Sequence, residues 1–135
     1  METKKQVVYV VDDDRNDVDL FSRILEQNGY FILKGYDFRE VISYLRQNTP
    51  DCIVSNGKYH RGHGLTILRT LRELRERGDF DRVGFVMVSG EEDDALYGTG
   101  DVVEELGGKF LEKPLKSLEE LVKAVREQIS LRQRL

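Results

Sequence analysis

Short apolar runs alternate along the chain with longer segments in which apolar residues recur every three or four positions. A short apolar run between turn residues is typical of a buried strand, whereas the three-to-four spacing is typical of a helix with one buried face. The predicted strands cover residues 7–11, 31–34, 52–54, 83–88 and 109–112. The predicted helices cover residues 14–28, 37–48, 65–78, 101–106 and 118–129.

The alternation of five strands with five helices predicts an α/β fold, in which helices cover both faces of a doubly wound parallel sheet. A length of 135 residues fits one ordinary domain. In such a sheet the carboxyl ends of the strands lie along one edge, and open α/β sheets place their binding sites at that edge. Polar residues that follow directly after the strands are therefore the candidates for function.

Three polar residues stand where predicted helices begin. Asp37 and Ser117 are expected to cap the second and the last helix, because their side-chain oxygens can accept free backbone N–H groups. Asp14 is expected at the start of the first helix, where a negative charge interacts favourably with the helix dipole.

Polar side chains of four kinds follow the predicted strands. Asp12 and Asp13 follow the first strand, and Asn56 stands at the end of the third. Ser89 follows the fourth strand, and Lys113 follows the fifth. Two acids, an amide, a hydroxyl and a lysine are therefore expected to meet at one edge of the sheet.

This ordered set resembles the receiver domain of bacterial response regulators. That family carries an acid pair after its first strand, here Asp12 and Asp13 in VVDDD. It carries a serine or threonine after its fourth strand, here Ser89 in MVSG. It carries Lys-Pro after its fifth strand, here Lys113 in FLEKPL, with an aromatic residue three positions earlier, here Phe110.

The resemblance covers residues 6–131 as a single receiver (response regulatory) domain and leaves 132–135 as a tail or a linker stub. It implies a flavodoxin-like receiver fold, with five parallel strands in the order 2-1-3-4-5 and five helices. It also implies a cis peptide bond before Pro114. The function it implies is two-component or phosphorelay signal transduction by a domain that is not itself an enzyme.

The chain departs from the family at the central position. The family's phosphate-accepting aspartate stands at the end of the third strand, and in PDCIVSN that position is Asn56. An amide oxygen is a poor nucleophile, and an acyl phosphate cannot form on it. The resulting hypothesis is an atypical receiver, or pseudo-receiver, that acts as a phosphorylation-independent protein-interaction module.

Two alternatives stay open. The first is a phosphorelay receiver with a non-standard acceptor or activation. It is disfavoured because Ser55 should point away from the site by strand alternation, while Asp51 stands at the opposite end of its strand. The second is a flavodoxin-like cofactor-binding protein. It is disfavoured because acids stand after the first strand, where a glycine-rich phosphate loop would be needed.

The acid pair resembles the family's site for a divalent ion, and hard oxygen ligands suit Mg²⁺. The expected ligands are Asp12 and Asp13, with the Asn56 amide oxygen and the Lys58 backbone carbonyl as further ones. Binding should be weak because a neutral amide replaces a charged ligand, and no cofactor is required. Lys113 loses its usual anionic partner and is predicted to form a salt bridge with Asp12 or Asp13.

Ser89 and Phe110 occupy the family's phosphate-contact and switch positions. In a domain that takes no phosphate, Ser89 is expected to act only through hydrogen bonding. Phe110 lacks the hydroxyl of the tyrosine that often stands there, so a switch at this position would depend on packing alone.

Composition narrows the function classes further. A net charge of -4 gives no basic excess, so nucleic acid is not expected as a direct ligand. The third helix is expected to present a solvated face with weak ion pairs. Its charged residues are Arg69, Arg72, Glu73, Arg75, Glu76 and Arg77.

Cellular location and partners follow from the same features. The one cysteine, Cys52, lies in an apolar strand pattern and is expected to be a buried free thiol, which fits a reducing cytoplasm. No stretch approaches the ~18 apolar residues of a membrane span. The first strand begins too early to leave room for a signal peptide. The expected partner is a protein, a histidine kinase or a downstream effector, bound through the last helices and strand. No feature indicates an oligomeric state.

Overall fold

The computed structural model describes residues 4–12, 14–56, 63–78, 80–90 and 99–134. The strands are β1 (Val7–Val11), β2 (Phe31–Gly35), β3 (Cys52–Asn56), β4 (Gly84–Gly90) and β5 (Lys109–Lys113). The helices in these ranges are α1 (Arg15–Gln27), α2 (Phe38–Gln47), α3 (His63–Glu76), α4 (Thr99–Glu105) and α5 (Leu118–Gln133). The strands form one parallel sheet in the order β2-β1-β3-β4-β5, which confirms the predicted fold class and strand order. The described ranges contain five helices, in agreement with the prediction.

Each face of the sheet carries its own hydrophobic core, because side chains alternate along every strand. Cys52 and Val54 point to the face that α1 and α5 cover, and Ile53 points to the face that α2, α3 and α4 cover. Full burial of one large apolar side chain contributes roughly 1.5–3 kcal/mol. The two cores together therefore fix the register of the central strands, since a slip by one residue would exchange the faces.

The predicted buried free thiol is confirmed. Cys52 is fully buried and unpaired, and burial raises the pKa of its thiol far above the ordinary value. Among the helices that the structure describes, none is long and apolar enough to cross a bilayer.

The predicted cap at Asp37 is confirmed, and Asp14, which was predicted at the start of the first helix, also caps it. The Asp14 carboxylate accepts the backbone N–H groups of Asn16 and Asp17 at 2.9 and 3.4 Å. The Asp37 carboxylate accepts the N–H of Arg39 at 2.8 Å. Each bond satisfies a donor that the first turn of a helix leaves free.

The cap at Asp14 leads to a first prediction. Replacing Asp14 with alanine should lower the free energy of unfolding by about 1 kcal/mol, because a capping acceptor is lost. Urea denaturation followed by circular dichroism measures this change. The matched control is Asp14→Asn, which keeps an acceptor oxygen and should lose much less. Equal losses in both variants would show that charge, and not the capping hydrogen bond, stabilises the helix.

The predicted position of Ser117 was right, but its predicted capping hydrogen bond was wrong. Ser117 stands at the N-cap position of α5, but its side chain makes no capping hydrogen bond. The Glu120 carboxylate accepts the backbone N–H of Lys116 at 3.0 Å. A carboxylate in the first turn thus reaches back to a free donor ahead of the helix.

The prediction for Arg75 was also wrong. Arg72 and the other charged residues of the set lie exposed on α3 as expected, but Arg75 is half-buried. Its Nη2 donates to the backbone carbonyl of Val83 at 2.6 Å. The long side chain folds under the helix to reach a carbonyl just before β4, so it does not belong to the solvated face.

Candidate functional site

The register of the sheet brings the ends of all five strands to one edge. Val11 of β1 lies opposite Gly35 of β2 and Ser55 of β3. The other pairs at this edge are Asn56 with Val88, Ser89 with Glu112, and Gly90 with Lys113. The candidate positions after β1, in β3, in β4 and in β5 therefore converge, as the sequence predicted.

Asp12 is held firmly at this edge. Its residue is only 2% exposed, and its backbone N–H donates to the Gly35 carbonyl at 3.0 Å. Its Oδ1 accepts the backbone N–H of Asp14 at 3.0 Å. A carboxylate so buried requires hydrogen bonds or a cation to offset the loss of hydration. Asp12 thus offers hard oxygen atoms beside the start of α1.

Lys113 does not form the predicted salt bridge with Asp12. Its Nζ contacts Asp17 Oδ2 at 3.2 Å, and both side chains are 32% exposed. The other predicted partner, Asp13, lies outside the described residues. Because the pair is partly exposed, its net contribution to stability is about 1 kcal/mol or less. Its importance is positional, since it joins the first turn of α1 to the end of β5.

Asp17 was missed by the sequence analysis. The available signal was a second acid in the first turn of α1, one turn after the cap Asp14. Its partner Lys113 lies 96 positions away in the chain. A helical pattern alone does not show which distant lysine an exposed acid will meet.

Ser89 and Phe110 take different positions around the site. Ser89 is fully buried within β4. Phe110 is half-buried, lies opposite Met87 in the register, and packs against the core under α2, α3 and α4. Its ring therefore connects the site edge with that core through packing contacts.

The remaining predicted ligands fall outside what the structure describes. These are Asp13, Lys58 and the side chain of Asn56, whose backbone ends β3. Within the described ranges, no three His, Cys, Asp or Glu side chains are grouped to hold a metal. The Mg²⁺ site stays a prediction, and Asp12 is its one described carboxylate.

One acid, Asp51, and one hydroxyl, Ser55, are the alternative candidates for phosphate acceptors near β3. Asp51 lies at the amino end of β3, where its Oδ2 accepts the backbone N–H of Val7 at 2.7 Å. Ser55 is fully buried and, by alternation along β3, points to the same face as Ile53. Asp51 is thus remote from the strand ends, and Ser55 is inaccessible to a phosphate donor.

An apolar groove lies beside Lys113. It has a volume of about 540 Å³ and is lined by Leu20 and Phe21 of α1 and by Pro114, Leu115 and Leu118 after β5. Leu20 is 45% exposed at the rim of this groove. The peptide bond before Pro114 is cis, as the resemblance implied.

The doubly wound sheet of order 2-1-3-4-5, with a buried acid after β1 and a lysine at the end of β5, defines a receiver fold. The sequence profile of the response regulator receiver domain matches residues 8–126, so the chain belongs to that family. The predicted resemblance is confirmed. The chain is a receiver domain of two-component signalling.

Comparison with known proteins agrees with this assignment. The chain is 27% identical over 125 residues to the phosphate regulon transcriptional regulatory protein PhoB of Klebsiella pneumoniae, covering 91% of this chain and 52% of that protein. The PhoB protein of Escherichia coli K12 is 26% identical over the same length. The chain therefore spans about half the length of these curated relatives.

Solved structures share the fold. The receiver domain of the Francisella response regulator 1452 has a TM-score of 0.75 and 21% identity, with 94% of this chain and 98% of that chain covered. A CheY-like receiver domain protein from Methanospirillum hungatei JF-1 has a TM-score of 0.75 and 18% identity, with 97% and 98% covered. At this level of sequence identity, the structural similarity shows a shared fold and carries no conclusion about function.

Proposed function

We propose that this receiver domain signals without phosphorylation, as a protein-interaction module. The observation that carries the proposal is the identity of the last residue of β3. Asn56 stands there, in register with Val88 and between the ends of β1 and β4. An amide at the family's phosphoacceptor position supplies no carboxylate oxygen to attack a phosphoryl group.

The ion pair of Lys113 supports the proposal. In the family this lysine contacts the phosphate, whereas here its ammonium group lies 3.2 Å from Asp17. A carboxylate from α1 therefore satisfies the lysine without any phosphate. The arrangement of α1 relative to the end of β5 then does not depend on a modification.

The alternative acceptors receive no support from their surroundings. Asp51 is engaged with Val7 at the far end of β3, and Ser55 is fully buried. The family assignment over residues 8–126, together with the buried acid after β1, favours a receiver over a flavodoxin-like cofactor-binding protein.

The proposed partner is a histidine kinase or a downstream effector in the cytoplasm, and the domain itself performs no catalysis. The proposed surface comprises α4, β5 and α5. The groove beside Lys113 adjoins this surface and adds an apolar lining to it. Mg²⁺, where it binds, would neutralise negative charge at the site. Asp12 and Asp13 would hold it weakly, with the Asn56 amide oxygen and the Lys58 carbonyl.

Treatment with acetyl phosphate and Mg²⁺, read by intact mass, tests the proposal. The wild-type mass should stay unchanged, because Asn56 cannot form an acyl phosphate. The protein must first be verified as undeamidated, since glycine follows Asn56 and deamidation there would create the missing aspartate. A single added phosphate that peptide mapping places on residue 56 of undeamidated protein would contradict the proposal.

A further inference from the structure

A charged cleft lies at the opposite edge of the sheet from Asp12 and Lys113. It has a volume of about 730 Å³ and is bounded by the carboxyl-terminal ends of α3, α4 and α5. Its charged lining residues are Arg72, Arg75, Arg132, Glu76, Asp81 and Glu105. The proposed signalling role assigns no function to the charged side chains of this cleft.

Two arginines of the cleft keep buried donors without acceptors. Arg75 uses Nη2 to bind the Val83 carbonyl, but its Nε and Nη1 are buried and have no hydrogen-bond partner in the described part of the protein. The Nε of Arg132 is likewise buried and without a hydrogen-bond partner among the described residues. A buried donor left unsatisfied costs about 1–3 kcal/mol, and more when it is charged. Three such donor nitrogens in one place therefore require an acceptor.

The two guanidinium groups lie side by side at Gly107. A Cβ atom built on Gly107 would stand 2.9 Å from Arg132 Nη1 and 4.0 Å from Arg75 Nη1. Glycine leaves this space open, and its φ of +77° also favours glycine over other residues. The Gly107 carbonyl accepts from Gln128 Nε2 at 3.0 Å. Both cations thus approach the same backbone segment.

The acids of the cleft do not neutralise this pair directly. Glu105 Oε2 contacts Arg72 Nη2 at 3.7 Å. No carboxylate oxygen of the described residues lies within 4.0 Å of Arg75 or Arg132. Burial and then the charge of Arg132 lower the pKa of Arg75 to about 10, against a smaller opposing effect of Asp81. Two adjacent positive charges therefore lack a counter-ion in contact.

We propose that Arg75 and Arg132 form a binding site for a phosphate group at this cleft. Guanidinium groups present planar, paired donors that match oxyanions. A phosphate group itself carries close to two negative charges, which would offset the charges of both arginines. Its oxygens could accept hydrogen bonds from the three unpartnered nitrogens. Inorganic phosphate and the phosphate of a small metabolite share this chemistry. The rim acids Glu76, Asp81 and Glu105 restrict the ligand to one compact anion.

The test uses the full chain in chloride buffer at constant ionic strength. Inorganic phosphate is titrated by calorimetry, and backbone amide shifts are followed by NMR. We expect saturable binding with shifts at Gly107 and Val83. Arg132→Met should weaken binding at least tenfold. Arg134→Met is the matched control, because Arg134 is exposed at the same helix end outside the cleft lining, and it should bind as the wild type does.

A stability measurement separates a ligand site from a purely structural role. Without phosphate, Arg132→Met should keep or raise the melting temperature, since it removes like-charge repulsion. With phosphate, only the wild type and Arg134→Met should gain melting temperature, because a ligand stabilises the state that binds it. A lower melting temperature of Arg132→Met in chloride alone, with no phosphate effect on the wild type, would overturn the proposal.

Further arms identify the ligand class. Glycerol phosphate that binds as well as inorganic phosphate supports a phosphorylated metabolite, and much weaker binding supports free phosphate. Malonate binding equal to that of phosphate overturns the phosphate assignment in favour of a carboxylate. Two further results would overturn the proposed site. One is equally weak phosphate binding by the wild type, Arg132→Met and Arg134→Met, and the other is amide shifts confined to the sheet edge at Asn56.

Discussion

Asn56→Asp should turn a domain that acetyl phosphate leaves unmodified into one that gains a single phosphate in the presence of Mg²⁺. The substitution restores a carboxylate nucleophile at the last position of β3. The acid after β1 and the lysine at the end of β5 are already at that edge. Intact mass before and after treatment measures the gain, and peptide mapping locates it.

The same variant should bind Mg²⁺ more tightly. Two unit charges ~4 Å apart attract by about 4 kcal/mol at an effective dielectric constant of about 20, and the double charge of Mg²⁺ roughly doubles this. Part of this is lost to displaced water and to repulsion from Asp12, so we expect at least tenfold tighter binding, which is about 1.4 kcal/mol. Calorimetric titration of wild type and variant gives the comparison. Equal Mg²⁺ affinity in the two proteins would show that the neutral amide of Asn56 does not weaken metal binding.

Two controls make the result specific. Asn56→Ser has no carboxylate and should gain neither phosphate nor metal affinity. Asn56→Asp combined with Asp17→Asn releases Lys113 from its ion pair and should accept phosphate faster than Asn56→Asp alone. If Asn56→Asp takes up no phosphate although it binds Mg²⁺, the identity of residue 56 is not the only feature that prevents phosphorylation. Equal rates in the single and double variants would show that Asp17 does not compete for Lys113.

The fold was predictable because its signals are short-range. Apolar runs identify central strands such as β3 and β4, since both faces of those strands are buried. Asp14 and Asp37 mark helix starts through hydrogen bonds to residues two or three positions away. The edge that gathers Asp12 follows from parallel strand order alone.

The contacts that sequence reasoning missed are made by long side chains over long sequence distances. Lys113 was assigned to the acids after β1, but its four-carbon stem reaches Asp17 on α1. Arg75 fits an exposed helical position by spacing, but its side chain turns under α3 to Val83. Spacing predicts where a Cβ points and not where a flexible charged end group finds its partner.

Gln128 is a buried polar residue that makes two hydrogen bonds to backbone groups of other elements. It stands on the apolar face of α5, near Val125 and Ile129, and is 6% exposed. Its Oε1 accepts the backbone N–H of Phe85 at 3.1 Å, and its Nε2 donates to the Gly107 carbonyl at 3.0 Å. One side chain thus joins α5 to β4 and to the turn after α4.

Gln128→Leu should therefore lower the free energy of unfolding by roughly 2–4 kcal/mol. The buried Phe85 N–H loses its acceptor at about 1–3 kcal/mol, and the part-buried Gly107 carbonyl loses its donor at a smaller cost. Leucine keeps an apolar side chain of similar size, so lost packing contributes little. Urea unfolding gives the value. Gln133→Leu, at an exposed position on the same helix, should change it by about 0.5 kcal/mol or less.

Hydrogen exchange locates the cause of that loss. In Gln128→Leu the Phe85 amide should lose protection beyond the global change, because its acceptor is gone while β4 keeps its core contacts. Unchanged local protection together with a small loss of stability would mean that other groups satisfy Phe85 and Gly107. A large loss with this local signature would establish that one amide side chain couples α5 to β4 and α4. The surface proposed to bind a partner would then respond as a unit, since its strand and helices share that connection.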